Sequence, residues 1–136
     1  MLADIEHQAV DEIICLGDIV LYGPNPRECV DRVLIWPICL LGESDRRVRD
    51  APDTGAPNSP GPRFAPRHRD DWDAWTKDQL RLGTPADEKR RIGFLNRLEP
   101  TATSQGMLLV HGSPRNPLNE CLFPEDVYNE RVIKDN

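Results

Sequence analysis

Ile13-Ile14-Cys15-Leu16-Gly17-Asp18-Ile19-Val20-Leu21-Tyr22-Gly23-Pro24-Asn25-Pro26-Arg27-Glu28 is the stretch from which the fold is read. Its first four residues form a continuous apolar run rather than an alternating one, which predicts a strand covered on both faces, as inside an α/β sheet. The run breaks at Gly17-Asp18. After a Gly/Pro-rich loop, Asn25 offers an N-cap, Pro26 a first helical residue and Glu28 an acid three residues past the cap, so a helix is expected through about Leu34. Ile38-Cys39-Leu40-Leu41-Gly42 predicts a second buried strand. Strand, helix and strand in about 30 residues imply a parallel crossover.

Upstream, Leu2, Ile5, Ala9 and Val10 lie near one another on a helical wheel, so the chain is expected to open inside an amphipathic helix. No N-cap or leading strand precedes it, which predicts missing sequence before Met1. Downstream, Arg46 to Asp71 contains Pro52, Pro57, Pro60, Pro62 and Pro66, with only Val48 and Phe64 as sizeable apolar residues. A disordered or loosely held tract over 46–71 is expected. Order resumes from Asp70 to Leu82, where Trp72, Trp75 and Leu82 share a helical face, read as core rather than a base-stacking surface. Thr84-Pro85-Ala86-Asp87 caps another helix, with Ile92, Phe94, Leu95 and Leu98 as its buried stripe. Met107-Leu108-Leu109-Val110-His111-Gly112 predicts a third buried strand. A polar loop over 113–123 and a short helix from Pro124 to Ile133 complete the reading.

The chain has 136 residues, 38% of them hydrophobic, and a net charge of −6, the composition of one soluble domain or a piece of one. No run approaches the roughly 20 apolar residues of a membrane span, and the acidic start lacks the basic residues of a signal peptide. A cytoplasmic, membrane-free protein is expected. The excess of acid, with 3 Lys against 14 Arg, argues against general nucleic-acid binding. Arg46, Arg47 and Arg49 could bind phosphate in principle, but the interspersed acids and proline favour a plain surface. Cys15, Cys29, Cys39 and Cys121 form no CxxC pair or zinc spacing and are read as free thiols. His7 and His68 have no partner in view and are read as solvated.

Asp18 and His111 each stand beside a glycine at the C-terminal end of a predicted strand. Open α/β sheets gather ligands at that edge. A carboxylate and an imidazole there suit a divalent cation, and the glycines let backbone approach closely. Taken alone the pair is weak, since an aspartate after a strand is commonly a turn former and a lone histidine is more often structural.

The wording around both positions is more specific. Ile14 to Val30, with Gly17-Asp18 and Tyr22-Gly23-Pro24, resembles the second motif of the calcineurin-like metallophosphoesterases in their bacterial branch. His111-Gly112-Ser113-Pro114-Arg115-Asn116-Pro117-Leu118-Asn119-Glu120 resembles that branch's histidine motif. The resemblance spans about residues 2 to 45 and 72 to 132. It implies a partial four-layer αββα sandwich with mixed sheets, a single partial domain over 1–136. It further implies hydrolysis of a phosphate mono- or diester by a hydroxide held between two divalent ions, of which Mn, Fe, Zn, Mg and Ni stay open. Asp18 would bridge the ions and His111 would ligate one. Tyr22 and Arg115 would face the substrate, although an exposed tyrosine in such a loop as often packs on its neighbours.

The departures matter equally. The family's opening Asp-x-His and closing Gly-His-x-His motifs fall outside this sequence. Its Gly-Asn-His-acid motif is matched by Gly42-Glu43-Ser44-Asp45, where Glu43 could still ligate a metal but Ser44, in the place of the catalytic histidine, cannot replace an imidazole acid. Two intact ligands do not make a catalytic site, which usually takes three even for one ion. The expectation is therefore an inactive phosphoesterase fragment. The alternative is a non-catalytic remnant or interaction module that keeps the scaffold. The proline-rich tract begins where the third motif degrades, and either a compensated frameshift in a GC-rich coding sequence or a true insertion accounts for it.

Overall fold

The computed structural model describes residues 2–54 and 69–135. The parallel crossover is present: β1 (Ile14–Cys15) pairs with β2 (Ile38–Cys39), Ile14 opposite Ile38 and Cys15 opposite Cys39, with α2 (Pro26–Val33) between them. The strands are two residues long and half-buried rather than sealed on both faces. Deep burial begins one residue later, at Leu40 and Leu41. The Leu40 amide donates to the Cys15 carbonyl and the Leu41 amide to the Glu99 carbonyl, each at 2.9 Å, so this backbone is held from both sides. Pro26 starts α2 as expected, but Asn25 makes no side-chain cap; the helix is held by its buried Val30 and Val33.

The expected tract is shorter than its composition suggests, because α3 (Glu43–Asp50) continues through Arg46 to Asp50. Asp45 accepts the Gly42 amide at 3.0 Å, Val48 is fully buried, and Arg47 forks onto Asp73 of α4 (Arg69–Arg81) at 2.8 and 3.0 Å. One buried valine with paired charges anchors two turns that carry little apolar content. Beyond the helix, Asp53 pairs with Arg81 and Lys77, and Thr54 hydrogen-bonds Asp78. Residues 55–68 of the tract, with Phe64 and His68, lie outside the described residues, and 69–71 already belong to α4.

Thr84 caps α5 (Pro85–Arg97) as expected, and Asp87 returns the bond to the Thr84 amide. Val20, Val30, Val33, Leu41, Val48, Leu80, Phe94, Leu95 and Leu98 form the core, where α2, α3, α4 and α5 meet. Arg91 of α5 is buried against α2 through Asp31, at 2.6 and 2.9 Å, and donates to the Leu82 carbonyl. Trp72 and Trp75, expected as core, are half-buried and instead pack on one another, edge to face at 5.7 Å, outside the residues of this core.

Met107 to Val110 is a strand, but not a buried one. This β4 (Met107–Val110) pairs antiparallel with β3 (Thr101–Ser104), whose polar sequence gave no apolar run to read. Gln105 and Gly106, at φ 50° and 79°, make the two-residue turn that right-twisted hairpins favour. Met107 and Leu108 are exposed because no second layer covers them among the described residues. At the ends, α1 (Leu2–His7) stops before Ala9, whose φ is 49°, and the last expected helix divides into a 3₁₀ turn at Pro124–Tyr128 and α6 (Glu130–Asp135). No helix among the described residues is long and apolar enough to cross a membrane. All four cysteines are free, and burial pushes the Cys39 thiol up to about 12.

Candidate metal centre

Asp18 and His111, 93 positions apart in sequence, meet at the C-terminal edge of β1: His111 Nε2 stands 3.5 Å from Asp18 Oδ1. The other ring nitrogen, Nδ1, lies 2.8 Å from the Leu16 carbonyl. A carbonyl only accepts, so Nδ1 carries a proton and, in the neutral ring, Nε2 carries the lone pair. Lone pair and carboxylate then face one another, an arrangement relieved by a proton or a cation between them. Ligating histidines are commonly oriented in this way through their second nitrogen.

Glycine makes this approach possible. Gly17 has φ +103°, and a Cβ there would lie 2.5 Å from the Gly42 amide nitrogen and 3.1 Å from His111 Nδ1. At Gly42 a Cβ would lie 2.1 Å from the Asp18 nitrogen and 2.4 Å from its Oδ1. Asp18 itself takes the left-handed conformation, φ 56°, which an aspartate tolerates better than most residues.

The residues after Gly42 fix Asp18 rather than extend a ligand set. Ser44 donates to Asp18 Oδ1 from its amide at 3.0 Å, and its hydroxyl lies 2.9 Å from both that oxygen and the Val20 carbonyl. Ser44 is fully buried. Asp45, also fully buried, accepts from the amides of Ile19, Val20 and Gly42, binding the loops after β1 and β2 to one carboxylate. Burial pushes its carboxyl above the usual range against the opposing effect of those amides. This clamp was not foreseen from the sequence, where Asp45 stood only as the acid closing a motif.

Glu43, the third expected ligand, has its carboxylate 3.7 Å from the Arg47 guanidinium. Arg115 is ion-paired with Glu120, which also takes the Ser113 hydroxyl, and Tyr22 is 73% exposed. Among the described residues no group of three or more His, Cys, Asp or Glu is placed to hold an ion. The pair nonetheless fits a cation at its own positions. Donors about 2.1 Å from one tetrahedral ion stand about 3.4 Å apart, close to the spacing seen here. Asp18 Oδ2 also accepts no hydrogen bond among the described residues. The donor set is thus compatible with part of a metal centre and short of a whole one.

No family model matches the chain. It is 28% identical over 138 residues to the uncharacterized protein MJ0912 of Methanocaldococcus jannaschii, an alignment covering 95% of this chain and 51% of that protein. A metallophosphoesterase from Sphaerobacter thermophilus superposes with TM-score 0.66 at 30% identity, over 93% of this chain and 47% of the other. The hypothetical protein PH1004 from Pyrococcus horikoshii shares the fold, with TM-score 0.64 at 19% identity, over 98% and 56% of the two chains. The fold is therefore mixed α/β and similar to that of a metallophosphoesterase. The chain spans about half the length of each of these relatives.

Proposed function

We propose that this chain carries part of the metal centre of a divalent-metal-dependent phosphoesterase, with Asp18 and His111 as its ligands. The observation that carries the reading is the opposition of Asp18 Oδ1 and His111 Nε2 at 3.5 Å, with Nδ1 engaged by the Leu16 carbonyl. The likeness to a metallophosphoesterase supports it. Bound divalent ions would supply Lewis acidity toward a phosphate ester and a nucleophile at neutral pH. The chain's own contribution is to orient the two ligands: Ser44 and Asp45 hold the Asp18 loop, and Leu16 sets the histidine tautomer. With two ligands among the described residues, the chain alone is expected to turn over slowly at best.

A second reading, a scaffold without a working centre, is favoured by one observation: the Ser44 hydroxyl is held between Asp18 and the Val20 carbonyl and is not offered to a leaving group. Manganese retention on gel filtration, followed by hydrolysis of bis(p-nitrophenyl) phosphate, separates the two. The metal reading expects the chain to retain manganese and Asp18→Asn to lose it, together with any turnover above background. Equal retention and equal background from both proteins support the scaffold.

A further inference from the structure

We infer that Arg46 is the residue that binds the phosphoryl group at this site, a role that rests on the phosphoesterase reading. Of four arginines on α3 and in the loop after His111, three are committed to carboxylates: Arg47 to Asp73, Arg49 to Asp50 and Arg115 to Glu120. Arg46 has no carboxylate partner among the described residues. Among the described residues its guanidinium donates only to the neutral Asn119 Oδ1, at 3.3 Å, and its Nε is buried without a hydrogen-bond partner. Half-buried Arg46, with one long neutral contact, leaves the other donors at the end of its guanidinium fork for an anion.

Its position suits that anion. Arg46 lies one turn into α3, its amide bonded to the Gly42 carbonyl at 3.1 Å, and helical side chains lean back toward the N-terminal end, here the end that contacts Asp18. Asn119 belongs to the loop after His111, which folds back through Gly112 N to the Pro117 carbonyl. Arg46 and Asn119 thus join the segment that fixes Asp18 to the segment that follows His111. The chemical class recognised is the phosphoryl oxyanion of a mono- or diester, whose oxygens match the guanidinium fork.

Equilibrium dialysis of the full chain with inorganic phosphate, at constant ionic strength, tests this. Arg46→Gln is expected to weaken phosphate binding about tenfold or more. Arg46→Lys should recover part of the loss, and Arg49→Gln, with the same change in net charge, should stay within about twofold of the parent. Equal losses in Arg46→Gln and Arg49→Gln, no loss in Arg46→Gln, or no phosphate binding by the parent chain would each overturn the assignment. Manganese retention is measured in parallel and is expected to survive Arg46→Gln. Phosphate binding that depends on Arg46 in a chain that retains no manganese defeats the metal reading while leaving the anion site in place.

Discussion

Ser44 and Asp18 are joined twice, through the Ser44 amide at 3.0 Å and its hydroxyl at 2.9 Å, both on Asp18 Oδ1. Ser44 thus acts as a support for the neighbouring carboxylate. Ser44→Ala removes the hydroxyl from a fully buried position and should cost about 1–2 kcal/mol in denaturant unfolding. The amide contact survives, so metal retention should fall only severalfold. A neutral effect on stability would mean the hydroxyl bonds are not formed in solution.

Gly42→Ala places a methyl group 2.1 Å from the Asp18 backbone nitrogen, closer than real Cβ contacts occur. Something must move, and the expected outcome is a loss of at least about 2 kcal/mol together with loss of metal retention. A variant as stable and as competent in metal binding as the parent contradicts the close approach of the two loops.

Asp31 links α2 to the buried Arg91 of α5, and the Arg91 guanidinium holds its carboxyl below the usual carboxylate range. The folded pKa is lowered, so the stabilisation is complete above the ordinary value of 3.8 and is lost as pH falls through the folded value. Melting temperature should therefore drop more steeply with acid in the parent than in Asp31→Asn. At neutral pH that variant should be less stable by about 1–2 kcal/mol. Parallel melting curves across the acid range would show that the pair is not formed.

Val48 is fully buried in the half of α3 that composition alone assigned to the proline-rich tract. Val48→Ala should cost about 2 kcal/mol in equilibrium unfolding. A change below about 0.5 kcal/mol, the range of ordinary surface substitutions, would place this turn outside the core.

Much of the arrangement was legible because it rests on local rules. The break from Ile13–Leu16 to Gly17-Asp18 and the proline at the start of α2 led to the observed parallel pair. The hidden parts depend on contacts distant in sequence. Nothing local to Arg46–Asp50 reveals that Arg47 will find Asp73 or that Val48 will be buried, the contacts that anchor this half of α3. The run Met107–Val110 looked buried because apolar content was read as depth, whereas its partner is the polar Thr101–Ser104 hairpin arm; the Gln105-Gly106 turn was the signal that could have found it. At the site, Asp18 and His111 were identifiable by their place at strand ends. The Asp45 clamp and the pairing of Arg115 with Glu120 were not, since each is decided by a side chain's choice of partner.

The most direct test of the central claim is to locate the ion. Crystals of the chain soaked in zinc or manganese and measured at the absorption edge of that metal should give an anomalous peak about 2.0–2.2 Å from the Asp18 carboxylate and His111 Nε2. The peak should vanish in Asp18→Asn and His111→Ala. A peak held by other residues, or none between these two in an ordered site, would contradict the account.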